Sequence, residues 1–148
     1  MIVVGTWGVG HFDNDSAADF ADELDDAEIR ERESLVRGVL VRTADATGYL
    51  FVAQEAVAAA ALIAAQCPGG EAVEPGYGPD QAMPAFSEDL RALAVEALDR
   101  VMSDIGLAGS WVAAADGVEW LSGLRRLRAI LAPPAFPDVP LFDLKQGR

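Results

Sequence analysis

Residues 50–66 are apolar on nearly every face of a helix, and this segment most constrains the fold. Its sequence, LFVAQEAVAAAALIAAQ, is dominated by alanine and is interrupted only by Gln54, Glu55 and Gln66. A helix that is apolar all round is either enclosed by other elements or crosses a membrane. The polar interruptions and the many alanines favour the enclosed helix. We therefore predict a central helix that the rest of the chain surrounds.

Two helices are predicted before the central one, because apolar residues recur there at intervals of three and four. For the second of them, over residues 26–43, Gly38 and three β-branched valines leave a strand over residues 35–42 as an alternative. Its solvent side is expected to carry two ion pairs, Glu28–Arg32 and Glu33–Arg37. The inward residues are predicted to be Ala17, Phe20, Ala21 and Leu24 in the first helix, and Ile29, Val36 and Leu40 in the second.

Two more helices are predicted after a Gly/Pro-rich loop at residues 67–84. Ser87 is expected to cap the first of them, which Gly106 ends, and the second spans residues 117–131 before Pro133 and Pro134. The predicted inward residues are Leu90, Leu93, Ala94, Ala97, Leu98, Val101, Met102 and Ile105 in the former, and Val118, Leu121, Leu124, Leu127 and Leu131 in the latter.

The predicted fold is mainly α, a compact bundle of about five helices in one domain covering residues 1–148. Its core is expected at about residues 5–132, with a glycine-rich N-terminal segment anchored to the bundle. Residues 133–148 are expected to form an extended tail. Its apolar residues, Phe136, Val139, Leu141 and Phe142, should fold back over the bundle or pack against a second subunit. The pattern is compatible with a homodimer.

The segment GTWGVGHFDNDSAADF, residues 5–20, contains the candidate site residues Trp7, His11, Asp13, Asn14, Asp15 and Asp19. A phosphate loop is disfavoured, since the G-x-x-G-x-G spacing matches no phosphate-binding fingerprint and the acids would repel an anion. A specific metal site is disfavoured because the chain has a single histidine and no calcium-loop spacing. The favoured interpretation is an anchored helix start, with the acidic residues capping backbone amides.

The same residues resemble the signature G-x-W-G-x-G-x-F-x-N-D-x-A-x-D-W, which opens a bacterial domain-of-unknown-function family numbered four-two-five-nine. Phe20 stands where that family more often has Trp, and residues 1–4 precede the signature. EAVAAAALIAA resembles the family's central helix, and GSWVAAADGVEWLSGLRRLRAIL resembles its closing segment. The resemblance implies a shared small fold and no catalytic residues. The matching positions are Gly5, Trp7, Gly8, Gly10, Phe12, Asn14, Asp15, Ala17 and Asp19.

The formal net charge is −13, and ten of the 24 acidic residues lie between Asp13 and Glu33. Nucleic acid and anionic membranes are excluded as partners, because they require a basic surface. An acidic surface suits a basic protein partner or serves solubility alone. The single cysteine, Cys67, excludes an internal disulfide, and the first residues lack the pattern of a signal peptide. We therefore expect a cytoplasmic protein.

No catalytic residue, metal ligand or cofactor is predicted. Nucleophilic catalysis would require Cys67 or a serine paired with His11, and the sequence has no G-x-S-x-G nucleophile elbow. The favoured function is a non-catalytic protein-interaction domain, for example an immunity-type protein that neutralises a basic toxin. One alternative is small-ligand binding beneath the loop at residues 67–84, lined by Tyr77 and Met83. The other is a metal-dependent hydrolase built on His11 and the nearby aspartates.

Overall fold

The alanine-rich segment forms the centre of the structure, a computed structural model that describes residues 15–47, 50, 52–70, 78–79, 81, 83–103 and 114–132, with the backbone alone at 114–116. Within these residues all regular structure is helical, which confirms the predicted mainly α bundle. The five helices are α1 (Asp15–Asp26), α2 (Ile29–Ala44), α3 (Ala53–Ala64), α4 (Asp89–Met102) and α5 (Ala114–Leu131). None of them is long and apolar enough to cross a membrane.

Helix α3 is the predicted central helix and packs against each of the other four. Every residue from Ala56 to Ala64 is buried, so the helix has no solvent face along this stretch. Most of its buried side chains are alanine, which lets neighbouring helices approach the α3 backbone closely, and Leu62 and Ile63 are buried with them. The helix starts at Ala53 and ends at Ala64, slightly inside the predicted limits of residues 50–66.

Two glycines close the C-terminal end of α3. Gly69 has φ +81°, a conformation that a residue without Cβ adopts at little cost. Gly70 donates its N–H to the Cys67 carbonyl, and a Cβ placed on it would lie 1.8 Å from the carbonyl oxygen of Ala64. The backbone conformation of Gly69 and the close approach at Gly70 therefore favour glycine at both positions of the turn after α3. Residues 71–77, 80 and 82 of that loop, Tyr77 included, lie outside the described residues.

Helix α2 covers the whole of residues 35–42, so the alternative of a strand there is wrong. Its buried residues recur with a helical period, and they lie against α3 and α4. The predicted inward residue Ile29 is 53% exposed, because α2 begins there, at the edge of the bundle. Arg32 lies inward instead and is only 8% exposed, so the prediction that it lies on the solvent side is also wrong.

The predicted inward stripes of α1 and α4 are confirmed within the described residues. All four α1 residues are buried, and α4 buries five of its predicted residues while Leu93 and Met102 pack against the core. Ile105 and Gly106 lie outside the described residues. Ser87 does not cap α4 with its side chain as predicted. Its carbonyl accepts the N–H of Leu90, but its hydroxyl donates to Glu33 on α2.

Helix α5 begins at Ala114, three residues before the predicted start. Leu124, Leu127 and Leu131 are buried as predicted, whereas Val118 is 64% exposed. The buried residues of a helix with 3.6 residues per turn define one direction, and Val118 lies more than a quarter turn away from it. Gly117 is buried in its place, and Trp120 packs against the core. The predicted anchored segment at residues 1–14 and the predicted tail lie outside the described residues.

Candidate functional site: the acidic face of α1

Five carboxylates line the outer side of α1. They recur at intervals of three and four on the side opposite the buried stripe, and all of them are exposed. This arrangement follows from the sequence, because a helix of period 3.6 places residues i, i+4, i+7, i+8 and i+11 on one face. We call this surface the acidic face of α1, and it consists of Asp15, Asp19, Asp22, Glu23 and Asp26.

Two of the predicted site residues, Asp15 and Asp19, belong to this face and point to solvent. The other four, Trp7, His11, Asp13 and Asn14, lie outside the described residues. The described part of the chain contains no group of three His, Cys, Asp or Glu side chains that could hold a metal ion. Asp22, Glu23 and Asp26 were not among the predicted site residues. Their helical spacing from Asp15 is the signal that identifies them.

The negative surface continues onto the first turn of α2. Glu28 precedes this helix and Glu31 lies in its first turn, and both are exposed. Arg30 approaches Glu28, with Nη2 3.3 Å from Oε1, but both side chains are largely in solvent. Such an exposed pair leaves the surface negative on balance, since it offsets one carboxylate among several.

Arg32 of α2 donates hydrogen bonds to carbonyl oxygens at the C-terminal end of α1. Its Nε donates to the carbonyl oxygens of Leu24 at 2.9 Å and Ala27 at 3.1 Å, and its Nη2 donates to Ala27 at 2.9 Å. The last carbonyls of a helix lack partners within the helix and carry the negative end of its dipole. A buried guanidinium therefore satisfies the oxygens and offsets their charge. Arg32 could have been suspected from the sequence, because it lies four residues before the buried Val36.

Two further arginines act in the same way between other helices. Arg91 of α4 donates through Nε and Nη2 to the Leu131 carbonyl at the end of α5, at 3.2 and 3.1 Å. Arg100 of α4 donates through Nε to the Ala46 carbonyl just after α2, at 3.0 Å. These contacts join residues 40 and 54 positions apart, and no local sequence pattern indicates them.

The start of α4 is fixed to α2 by two polar contacts. The Glu33 Oε2 atom accepts the Ser87 N–H at 2.9 Å and its hydroxyl at 2.7 Å, while Arg37 Nη1 donates to Asp89 Oδ2 at 2.8 Å. Donation by the Ser87 N–H, with a smaller effect of the hydroxyl, lowers the pKa of Glu33 below its ordinary value. The hydrogen bond from Arg37 likewise lowers the pKa of Asp89. The predicted Glu33–Arg37 ion pair is not among the ion pairs of the described residues, because Arg37 pairs with Asp89 and Glu33 binds Ser87 at the start of α4.

The acidic face of α1 takes part in no ion pair among the described residues. The three ion pairs among the described residues are Arg30–Glu28, Arg37–Asp89 and Arg128–Asp99, and none involves the acidic face. Arg128, in the last turn of α5, donates through Nε to Asp99 Oδ1 on α4 at 2.6 Å.

Comparison with known proteins gives one match. The profile of the family described as "Domain of unknown function (DUF4259)" matches residues 5–123. The match begins at Gly5, where the glycine-rich signature starts, and covers most of the chain. No curated protein and no solved structure matches it.

Proposed function

The chain belongs to the DUF4259 family, and from the surface of α1 we propose that it is a non-catalytic protein-interaction domain that binds a basic protein. The observation that supports this proposal is the acidic face of α1, with five exposed carboxylates on one side of a helix that packs on α3 alone among its principal contacts. The carboxylates face outward and enclose nothing among the described residues.

Charge density supports a steering role for this surface. Residues 15–31 contain eight acidic residues and a single exposed arginine. Charges of one sign concentrated on a surface accelerate encounter with a partner of opposite sign. At physiological salt the field decays over about 8 Å, so the partner's lysines and arginines must come into near contact. Each exposed pair contributes only about 0.2–1 kcal/mol, so charge governs the association rate and partner choice more than the dissociation rate.

An immunity-type protein is one form that this function can take, by analogy with small acidic inhibitors that cover basic toxins. In that case the partner would be a secreted or neighbouring toxin with a basic active surface. The proposal of a basic protein partner does not depend on this form.

The test compares two triple variants with the same net charge. The first, Asp19→Asn, Asp22→Asn and Glu23→Gln, neutralises part of the acidic face, and the second, Asp45→Asn, Glu96→Gln and Glu119→Gln, neutralises exposed acids elsewhere. Each tagged protein is used to recover partners from the source cell, and association rates are then measured with the purified partner.

We expect a stoichiometric basic partner that the wild type and the second variant recover and the first variant loses. With the purified partner, the first variant should associate roughly tenfold more slowly at low salt, and the difference should shrink as salt rises. The proposal is wrong if no stoichiometric partner is recovered, or if both variants bind it as the wild type does.

A further inference from the structure

The outer face of α5 carries exposed charges that the rest of the described bundle does not pair. It lies opposite the buried Leu124, Leu127 and Leu131. Val118 on this face is the most exposed of the large apolar residues described, at 64%. The members of the face are all exposed, and they are Val118, Glu119, Ser122, Arg125, Arg126 and Ala129. The face therefore combines one large apolar residue, one acid and two arginines.

The three charged side chains of this face have no partner among the described residues. Glu119, Arg125 and Arg126 make no hydrogen bond or ion pair there, whereas Arg128 on the same helix is bound to Asp99. Two arginines against one acid give the face a positive net charge. In a chain of net charge −13, a second copy therefore meets less repulsion at this face than at the acidic faces of the other described helices.

The helices packed against α5 do not reverse this balance. Helix α5 contacts α3 and α4. The charged residues of these two helices that are bound within the bundle are Asp89, Arg91, Asp99 and Arg100. The other charged residues there are the acids Glu55, Glu88 and Glu96. An acid that borders the outer face attracts the two arginines of a second copy and repels only its single glutamate.

Ser122 lies at the centre of the outer face, and the residues around it are arranged reciprocally. Glu119 precedes Ser122 by three residues, and Arg126 follows it by four. At about 100° per residue, both lie on one side of Ser122, about 60° and 40° away from it. Val118 precedes Ser122 by four residues and Arg125 follows it by three, and both lie on the other side, about 40° and 60° away. The face is therefore self-complementary about a two-fold axis at Ser122.

An antiparallel pair of α5 helices places opposite charges in contact and keeps like charges apart. Positions equally far before and after the axis lie level, so Glu119 is within about 1.5 Å, along the helix, of Arg126 of the second copy. Glu119 and Arg125 are each about 9 Å along the helix from the same residue of the second copy, so the attraction outweighs the repulsion. Val118 lies level, to within about 1.5 Å, with Arg125 of the second copy, whose methylene stem covers it. Ser122 is small enough for the two helix axes to approach to about 8–10 Å.

We propose that two copies of this chain associate through the outer face of α5, in an antiparallel contact whose two-fold axis passes at Ser122. Glu119 pairs with Arg126 of the second copy, and Arg125 of the second copy covers Val118, and each contact occurs twice. The contact uses one helix of each copy, so it belongs to the weak class of interfaces, below about 1,200 Å² of total buried area. Association therefore depends on protein concentration. It does not involve the acidic face of α1.

The test measures the association of the full-length chain by sedimentation velocity, from about 20 μM to about 1 mM. We expect the wild type to shift towards a dimer as its concentration rises. Glu119→Arg and Arg126→Glu, each alone, should weaken the dimer by about tenfold or more, because each puts two pairs of like charges in contact. An equimolar mixture of the two variants should associate again, since both contacts then join an arginine to a glutamate. Circular dichroism checks that the variants, changed at exposed positions, keep the helical fold.

The matched controls carry the same charge changes on another helix. Glu31→Arg and Arg42→Glu alter an exposed acid and an exposed arginine of α2. Alone and mixed, these two variants should associate as the wild type does. They separate the proposed contact from a general effect of net charge.

Four results overturn the proposal. The first is a wild type that stays monomeric at the highest concentration, and the second is a mixture of Glu119→Arg and Arg126→Glu that does not associate. The third is Glu119→Arg associating more strongly than the wild type, which would show that the arginines of α5 meet an acidic surface of another copy. The fourth is growth of the wild type beyond a dimer, because a two-fold contact closes with two copies and a head-to-tail contact does not.

Discussion

Replacement of Arg32 by methionine tests whether this side chain fastens the end of α1. Methionine keeps the unbranched apolar stem and has a similar helix propensity, so that the change removes chiefly the guanidinium. Two carbonyl oxygens, of Leu24 and Ala27, then lose a charged donor. A hydrogen bond to a charged group contributes about 1.5–3 kcal/mol, and a cation at a helix C-terminus about 0.3–1 kcal/mol.

The two acceptors together predict a loss of about 2–4 kcal/mol for Arg32→Met, since water will solvate part of what is released. With a urea m-value of about 2 kcal/mol/M, the unfolding midpoint should fall by roughly 1–2 M. Arg32→Lys keeps the charge but presents it as a single point, and it should lie between the wild type and Arg32→Met. Equilibrium urea unfolding followed by circular dichroism measures all three, and hydrogen exchange should show faster exchange in the last turn of α1.

The matched control is Arg30→Met on the same helix. The Arg30 side chain is 83% exposed and its ion-pair partner Glu28 is 69% exposed, so its loss should change stability by no more than about 0.5 kcal/mol. If Arg32→Met and Arg30→Met differ by less than about 0.5 kcal/mol, the Arg32 guanidinium does not stabilise the end of α1.

Replacement by alanine should change the stability in opposite directions at Gly70 and Gly38. Gly70→Ala places a methyl 1.8 Å from the Ala64 carbonyl oxygen and should cost about 1–3 kcal/mol, whereas Gly38→Ala meets nothing within 4 Å inside α2 and should stabilise by about 0.5–1 kcal/mol. Thermal unfolding checks both, and shifts of the same sign contradict the assigned contacts. Acid should weaken the α2–α4 junction through Glu33, whose pKa is lowered by hydrogen bonds from Ser87. The sign follows from linkage: the contribution is complete above the unfolded pKa, about 4.3, and is lost as pH falls through the lower folded pKa. Glu33→Gln should therefore flatten the pH dependence of unfolding below about pH 4.5, and an unchanged slope would show that Ser87 does not hold the carboxylate.

Local periodicity predicted the parts of the fold that depend on spacing alone. The stripe ending at Leu24 and the enclosed alanine helix both follow from which residues share a helix face. Periodicity misplaced Ile29 and Val118, because the apolar character of a residue does not show whether its side of the helix faces the core. Ile29 is exposed because it lies at the edge of the bundle, and Val118 is exposed because the core lies on another side of α5.

The candidate site was predictable only in part for the same reason. The concentration of acids near α1 is visible in the sequence, and helical spacing puts Asp15 and Asp19 on one face with their neighbours. The arginines are different, since Arg91 and Arg100 find carbonyls on helices far away in the chain. No rule of spacing connects residues whose contact exists only once the bundle has assembled.

The composition of α3 determines which substitutions the interior can accept. Seven of its ten buried residues are alanine, which loses no rotamer freedom on burial and has little side chain to remove. Removing side-chain atoms from these alanines costs little stability. A larger side chain at the same positions would have to displace the neighbouring helices. Substitutions should therefore be tolerated poorly at the buried positions of α3 and well at the exposed positions of the surrounding helices. Members of the family can then differ in surface residues while they keep the same core.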